Sequence, residues 1–574
     1  MSLDSATSPI SAAKQNGNTD WVVFGSVAAT IIALVLWGAL ATRSLGSFTA
    51  RALSWLITNV GWFFVLSASG FVAFILYLAF SRFGRIPLGR DGEQPEFRTV
   101  SWIAMMFSAG MGIGLMFFGF SEPLAHFVTP PPGAALAGPS GSAGPDATAA
   151  AIKMAMATSL FHWTLHPWSI YAVAGLAIAY SSFRKGRRQL VSSVFLPLLG
   201  PRKTESAAAR LIDSLALFAT LFGSAASLGL GTLQIRSGLR ESGWIEGVGT
   251  HVLVLIIVVL TLCFIASAVS GIAKGIQYLS NINMVLAVAL AIFVFLVGPT
   301  IFILNLVPTS IGSYLSHFGE MASRTAATGD ETWLRNWTIF YWAWWISWTP
   351  FVGMFIARIS RGRTIREFIV GVLFTPCAVS VIWFAIFGGA AIHLAKSGAD
   401  IAQGGAEAQT FNILAELPLT QVTSVTVVVL VALFFVSGAD AGSVVMGTLS
   451  QRGSLAPRRW VVVFWGAAVG AVAGIMLAIG GARALSGIQN LTFIAALPFA
   501  VVMVIMCYAM LKDLKRDPLM LHENKAAEVL AAAVRRGTVE HDGDFQLKIG
   551  GRNDTSIQSS GTKGARERPA VEAK

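Results

Sequence analysis

A chain of 574 residues that is 55% hydrophobic and only 12% charged cannot be a soluble globular domain, where charged residues make up about a quarter of the sequence. Composition defines a polytopic membrane protein. Its formal charge of +12 calls for no nucleic acid, because basic loops beside anionic headgroups are ordinary for an inner-membrane protein.

Residues 1 to 20 are polar and run into the first apolar segment without a small-residue cleavage site, so the first helix is expected to be retained. Segments able to cross a hydrocarbon core of about 30 Å are predicted near 21–41, 61–80, 99–120, 151–181, 211–235 and 251–272. A second set follows near 283–305, 337–357, 368–393, 421–446, 459–479 and 491–511. Twelve spans put both termini on one side of the membrane. The alternate loops on that side carry nineteen basic residues, from Arg82 through Arg459, against nine in the opposite loops. Positive loops stay inside, so the termini are expected to be cytoplasmic.

Three regions lie outside the spans. The stretch TPPPGAALAGPSGSAGPDATAA at 129–150 is expected to be an external loop, since its proline and glycine build no core. Residues 308–335 include SIGSYLSHFGEMASR, apolar at helical spacing yet too polar to span, which fits an interfacial helix or a plain loop. The tail from Lys512 holds twelve basic and ten acidic residues, opens with a helical pattern through KAAEVLAAAVRR and ends in a Gly/Ser-rich sequence expected to be disordered. The three cysteines, Cys263, Cys377 and Cys507, sit in apolar segments without metal-ligand spacing and read as packing residues.

Unpaired backbone is tolerated in a membrane where it lines a cavity or binds a ligand. The third span, FSAGMGIGLMFFGFSEPL, places Gly110, Gly112 and Gly114 at alternate positions, a spacing that suits a broken helix better than a packing face, since residues two apart do not share one. The fourth span carries FHWTLHPWSIY, with Trp163, Trp168 and Tyr171 roughly on one side and Pro167 weakening the hydrogen-bond ladder between them. The eighth carries YWAWWISWTPF, with Trp344, Trp345 and Trp348. Tryptophan faces attract a cation without a counter-charge. Each cluster alone is as well read as an interfacial belt; together they outline a box for a quaternary ammonium group. His162 and His166, at i and i+4, lack a third ligand and read as packing or hydrogen-bonding residues. Glu122, Asp213 and Asp440 are intramembrane acids: Asp213 reads as a helix-end charge, and Glu122 and Asp440 serve either ion coupling or capping and gating.

The strings GMGIGLMFFG, FHWTLHPWSIYAVAGLAIAY, SLGLGTLQI, KGIQYLSN, TIFYWAWWISWTPFVGMF and ARISRGRTIREF, in that order, resemble the betaine/carnitine/choline transporter family, and its sodium-coupled glycine betaine members most. The resemblance covers roughly residues 50 to 515. It implies an all-α fold of twelve transmembrane helices with a LeuT-like core of two inverted five-helix repeats, arranged as a 1–20 tail, two additional helices over 21–98, a first repeat over 99–305, an external segment over 306–336, a second repeat over 337–511 and a 512–574 tail. A homotrimer is implied as well, in contact with membrane lipids.

For the site, the resemblance implies that Trp163, Trp168, Tyr171 and Trp345, with Trp344 and Trp348 alongside, surround the ammonium group of a small zwitterionic substrate. The backbone of Gly110, Met111, Gly112 and Gly114 would meet its carboxylate. Sodium is the implied coupling ion, one site at Ser108, Met111, Phe434, Ser437 and Gly438 and the other at Thr220, Ser224, Tyr171 and Phe351, with no cofactor and no transition metal. Similar symporters carry hydroxyl residues at both positions matching Ser437 and Gly438; this chain supplies one. Related choline carriers tend to have aspartate where Gly114 stands, so Gly114 points to zwitterions. The expected activity is sodium-coupled import of glycine betaine by alternating access, the alternative being another betaine-like solute such as proline betaine, ectoine, choline or carnitine, moved with protons or by exchange. A facilitator and an intramembrane enzyme are the other classes weighed; GxSxG, HExxH and a paired-aspartate arrangement are all missing from the sequence. The family's osmosensing tails resemble strongly basic helices, whereas this tail is nearly charge-balanced.

Overall fold

The structure, a computed structural model, describes residues 18–110, 112–134, 145–200, 205–244, 249–270, 273–480, 484–542 and 544–545. Met111, Arg202, Lys203, Arg483, residues 135–144 of the proline-rich loop and the final Gly/Ser-rich stretch lie outside these residues.

In chain order the helices are α1 Trp21–Leu40, α2 Thr42–Phe80, α3 Thr99–Gly110, α4 Ile113–Val128, α5 Pro145–Trp163, α6 Leu165–Ala179, α7 Leu196–Leu199, α8 Ala207–Glu241, α9 Thr250–Ser270 and α10 Ala273–Val297. They continue as α11 Thr300–Ala322, α12 Glu331–Asn336, α13 Thr338–Ile359, α14 Ile365–Lys396, α15 Ala406–Ala415, α16 Thr420–Ser450, α17 Arg459–Gly480, α18 Ala484–Leu514 and α19 Pro518–His541. Among the described residues the only extended pairing is one isolated bridge between Pro87 and Thr364. The fold is all-α. Among the described residues eight helices are long and apolar enough to cross a membrane, α1, α2, α8, α11, α14, α16, α17 and α18. With α11, in the segment expected outside the spans, counted apart, α9, α10 and α13, together with α3–α4 as the third span and α5–α6 as the fourth, make twelve.

Two boundaries depart from the hydropathy reading. The second span starts at Thr42 rather than near 61, because Leu45, Leu53, Leu56 and Ile57 bury one side of an amphipathic stretch that carries the helix upstream. The seventh ends at Val297 rather than near 305: Gly298 and Pro299 interrupt it, and the chain restarts as α11, followed by the short α12. Of the cysteines, Cys263 is exposed on α9 rather than packed inside, because much of this helix turns its apolar side chains outward.

The basic loops gather at one end of the bundle. Leu88 donates its N–H to Arg363 O (2.7 Å) and Ile365 to Ile86 O (2.9 Å). Arg184 reaches Asp91 (2.6 Å) and Gly89 O (3.1 Å), and Arg361 pairs with Glu93 (2.7 Å). The guanidinium of Arg363 lies 4.0 Å over the Trp102 ring, where burial lowers its pKa from the ordinary arginine value. The start of α1 is tied here by Asp20, which caps that helix, pairs with Arg210 (3.2 Å) and donates its backbone N–H to Ser450 O; Asp513, near the end of α18, is held by Arg187 (2.7 Å).

The described residues from Leu514 onward form a separate compact unit. Its helix α19 is capped by Asp517, which accepts from Leu519 N (3.1 Å), and carries an exposed Arg536–Glu540 pair.

Candidate functional site

Two helix breaks face each other at the centre of the first unit. In the third span α3 stops at Gly110, Gly112 is extended (φ −168°, ψ −179°), and α4 starts at Ile113. The first amides of a helix have no intrahelical partner, and here Ile113, Gly114 and Leu115 line a cavity. The fourth span breaks at Thr164 (φ −114°, ψ −109°). Pro167 is the cause: lacking an N–H, it cannot bond the carbonyl four residues back, Trp163 O, which instead accepts from Ser380 Oγ at 2.9 Å.

The cavity holds about 270 Å³. Trp163, Trp168 and Tyr171 come to it from α5 and α6, and Trp344, Trp345, Trp348 and Phe351 from α13. The two helices are pressed together where α6 meets α13: a Cβ on Gly353 would stand 3.0 Å from Gly175 N. Trp345 is the hub of the rings, 4.9 Å from Trp163 edge-on, 6.2 Å from Tyr171 and 4.6 Å from Trp344 in a parallel stack. No Asp, Glu, Lys, Arg or His lines this cavity among the described residues. Trp348 Nε1 is buried without a hydrogen-bond partner among them, while Trp344 Nε1 donates to Ser227 Oγ (3.2 Å).

The residues expected to hold ions fall into two groups. Phe434, Ser437 and Gly438 bring α16 to the cavity, and Ser224 brings α8. Ser437 Oγ donates to Leu433 O at 2.9 Å, and Thr220, buried one turn before Ser224, donates to Ala216 O at 2.8 Å without lining the cavity. Gly110 ends α3 and Ser108 lies in its last turn; Met111 is outside the described residues. Asn283, which the sequence reading passed over, lines the cavity from α10. Its amide bridges α16, donating to Leu430 O and accepting from Phe434 N at 3.2 Å each in the orientation that satisfies both. Asparagines at 281 and 283, opening an apolar segment, were the available signal.

Behind the rings Glu122, fully buried, collects three donors. His162 Nδ1 lies 2.7 Å from Oε1, and Trp163 Nε1 and the Tyr341 hydroxyl lie 2.6 and 2.5 Å from Oε2. His162 Nε2 meets Thr338 Oγ1 at 3.0 Å, and its backbone carbonyl accepts from Trp345 Nε1 at 3.1 Å. Glu122, His126 and His162 each offer an atom to a metal within 4.8 Å of the others, but the carboxylate is already taken up by these hydrogen bonds. His166 stacks on Trp342 at 4.9 Å, away from this knot. Asp213 is more than a helix-end charge, since it is buried and accepts from Ser192 N and Oγ at 2.9 and 2.6 Å. Asp440 is buried on α16 beside the cavity residue Ala441.

Broken helices around a central, uncharged cavity in a multi-span bundle define a membrane transporter. The chain belongs to the betaine/carnitine/choline transporter family: the model described as "BCCT, betaine/carnitine/choline family transporter" matches residues 22–519. It is 45% identical over 544 residues to the betaine/ectoine transporter LcoP of Corynebacterium glutamicum, covering 94% of this chain and 85% of that one. It is also 44% identical to the glycine betaine transporter OpuD of Bacillus subtilis (88% of this chain, 96% of the relative), and 38% identical to an ectoine/hydroxyectoine transporter of Virgibacillus pantothenticus (88% and 98%).

Proposed function

We propose that the protein imports a compact betaine-type zwitterion, glycine betaine foremost, by sodium symport across the bacterial plasma membrane. The observation that carries this reading is the ring-walled cavity without a charged side chain. A cationic head held there must rely on aromatic faces, each contributing about 0.5–2 kcal/mol depending on desolvation. The same cavity opens onto the first amides of α4 and the unpartnered Trp348 Nε1, donors suited to a carboxylate. Aromatic faces for an ammonium group and N–H donors for a carboxylate in one cavity suit a betaine.

Sodium is proposed as the driver, at Ser437 with the carbonyls of α16 and at Thr220 with Ser224. Concentrating a solute tenfold costs about 1.4 kcal/mol, and one positive charge moving inward down 100 mV yields about 2.3 kcal/mol, so one ion is sufficient for that gradient. Cytoplasmic termini, a trimer and paired repeats over 99–305 and 337–511 belong to the same proposal; the gathering of α1, the end of α18 and the basic loops at one end supports the first of these. Uptake of labelled glycine betaine into proteoliposomes, with and without an inward sodium gradient, tests the proposal. Accumulation only with sodium is expected; equal accumulation under a proton gradient alone overturns the coupling, and no uptake overturns the substrate.

Ectoine is the second reading. The named relatives support it, and its compact delocalised cation suits the same rings.

A further inference from the structure

Glu122 does not line the cavity, yet one of its carboxylate oxygens lies 2.6 Å from the indole nitrogen of a ring that does. Trp163 Nε1–H can only donate, so Oε2 is an acceptor, and the Tyr341 hydroxyl is its second donor. A Thr338 hydroxyl donating to His162 Nε2 leaves that ring's proton on Nδ1, aimed at Oε1. The set is what a carboxylate anion requires in a place without water. No lysine or arginine pairs with Glu122 among the described residues; Arg324 is engaged by Glu320 at 3.2 Å and by the Trp333 ring at 5.3 Å.

We propose that Glu122 is a specificity-determining residue whose buried charge, one layer behind the rings, makes the cavity select cationic heads over neutral heads of the same shape. A charge-assisted hydrogen bond from the indole N–H pushes electron density onto the Trp163 ring and deepens its negative face. The anion also attracts the ammonium through a medium of low dielectric, where charge acts further than in water. Because the carboxylate stays out of contact, it favours cations without a direct ion pair that would have to break on release. The same residue sets ring geometry, holding Trp163 directly and Trp345 through the carbonyl of His162. The inference rests on the betaine reading of the cavity.

The test is a pair of probes that differ only in charge: glycine betaine and 3,3-dimethylbutyrate, its carbon isostere, titrated against purified protein by tryptophan fluorescence. Glu122→Gln keeps every donor and acceptor paired if His162 takes its other tautomer, with the amide nitrogen donating to Nδ1. Betaine affinity should then fall about tenfold, with isostere affinity changing less than about twofold, so that the preference between them collapses. Glu122→Asp keeps the charge and shifts the geometry; both affinities should fall together and the preference persist. An unchanged preference in E122Q overturns the proposal and shows that His126 or His162 already cancels the charge. If E122Q does not fold, a preference lost in E122D overturns it instead, since geometry would then discriminate. A wild-type protein that binds no betaine refutes the substrate reading itself, an outcome distinct from both.

Discussion

Gly114 and Trp344 are in such close approach that a Cβ on the glycine would stand 2.8 Å from the tip of the indole, and equally near the tip of Trp163. The helix break and the ring box are therefore one packed object. Any side chain at 114 must push a ring out of the cavity wall, and the rings are buried among one another with little room to move.

Gly114→Ala is accordingly expected to weaken betaine binding about tenfold, with a misfit of the overpacking kind costing about 1–3 kcal/mol. Tryptophan-fluorescence titration measures it. An alanine variant binding as tightly as the wild type would show that the rings give way freely.

Trp345→Leu removes the ring that touches Trp163, Tyr171 and Trp344 together. A loss of affinity of at least about tenfold is expected, corresponding to about 1.4 kcal/mol or more of cation–π and packing energy. Unchanged affinity would place the cationic head elsewhere.

Gly438 offers the opposite circumstance to Gly114: a Cβ there meets nothing within 4 Å. Gly438→Ser therefore fits without rearrangement, gains a few tenths of a kcal/mol in helix preference, and supplies a hydroxyl beside Ser437. The sodium concentration for half-maximal uptake should drop severalfold, with Ser437→Ala raising it. Sodium dependence indifferent to both substitutions would remove this stretch of α16 from the ion site.

Gly353→Leu would force α6 and α13 apart, since the first carbon of the side chain already stands 3.0 Å from the backbone of Gly175. Destabilisation of about 1–3 kcal/mol is expected, read as a lower midpoint in a thermal-aggregation assay of detergent-solubilised protein.

Much of this architecture is legible in the sequence. Span count follows from hydropathy, and the break at Gly112 from glycines spaced too closely to share a helix face. The break at Thr164 was half legible: Pro167 announces a missing N–H, but the hydroxyl that takes over the orphan carbonyl belongs to Ser380, more than two hundred residues away. Glu122 stood out as an intramembrane acid, while its partners Trp163 and Tyr341 are 41 and 219 residues distant, and no local pattern joins them. A helix end set by an amphipathic rather than an apolar stretch, as at Thr42, escapes a window that measures mean apolarity, and the same window runs across the Gly298–Pro299 interruption before Thr300. Asn283 was overlooked because its partner groups are backbone atoms, which leave no trace in residue identity.

That amide of Asn283 meets Leu430 O and Phe434 N, the acceptor and the donor of one rung of α16. Helix α16 runs unbroken from Thr420 to Ser450 through this rung, so the amide ties two helices together without interrupting either. A single side chain on α10 thus fastens its helix to α16 at the level of the cavity wall, just before Ser437.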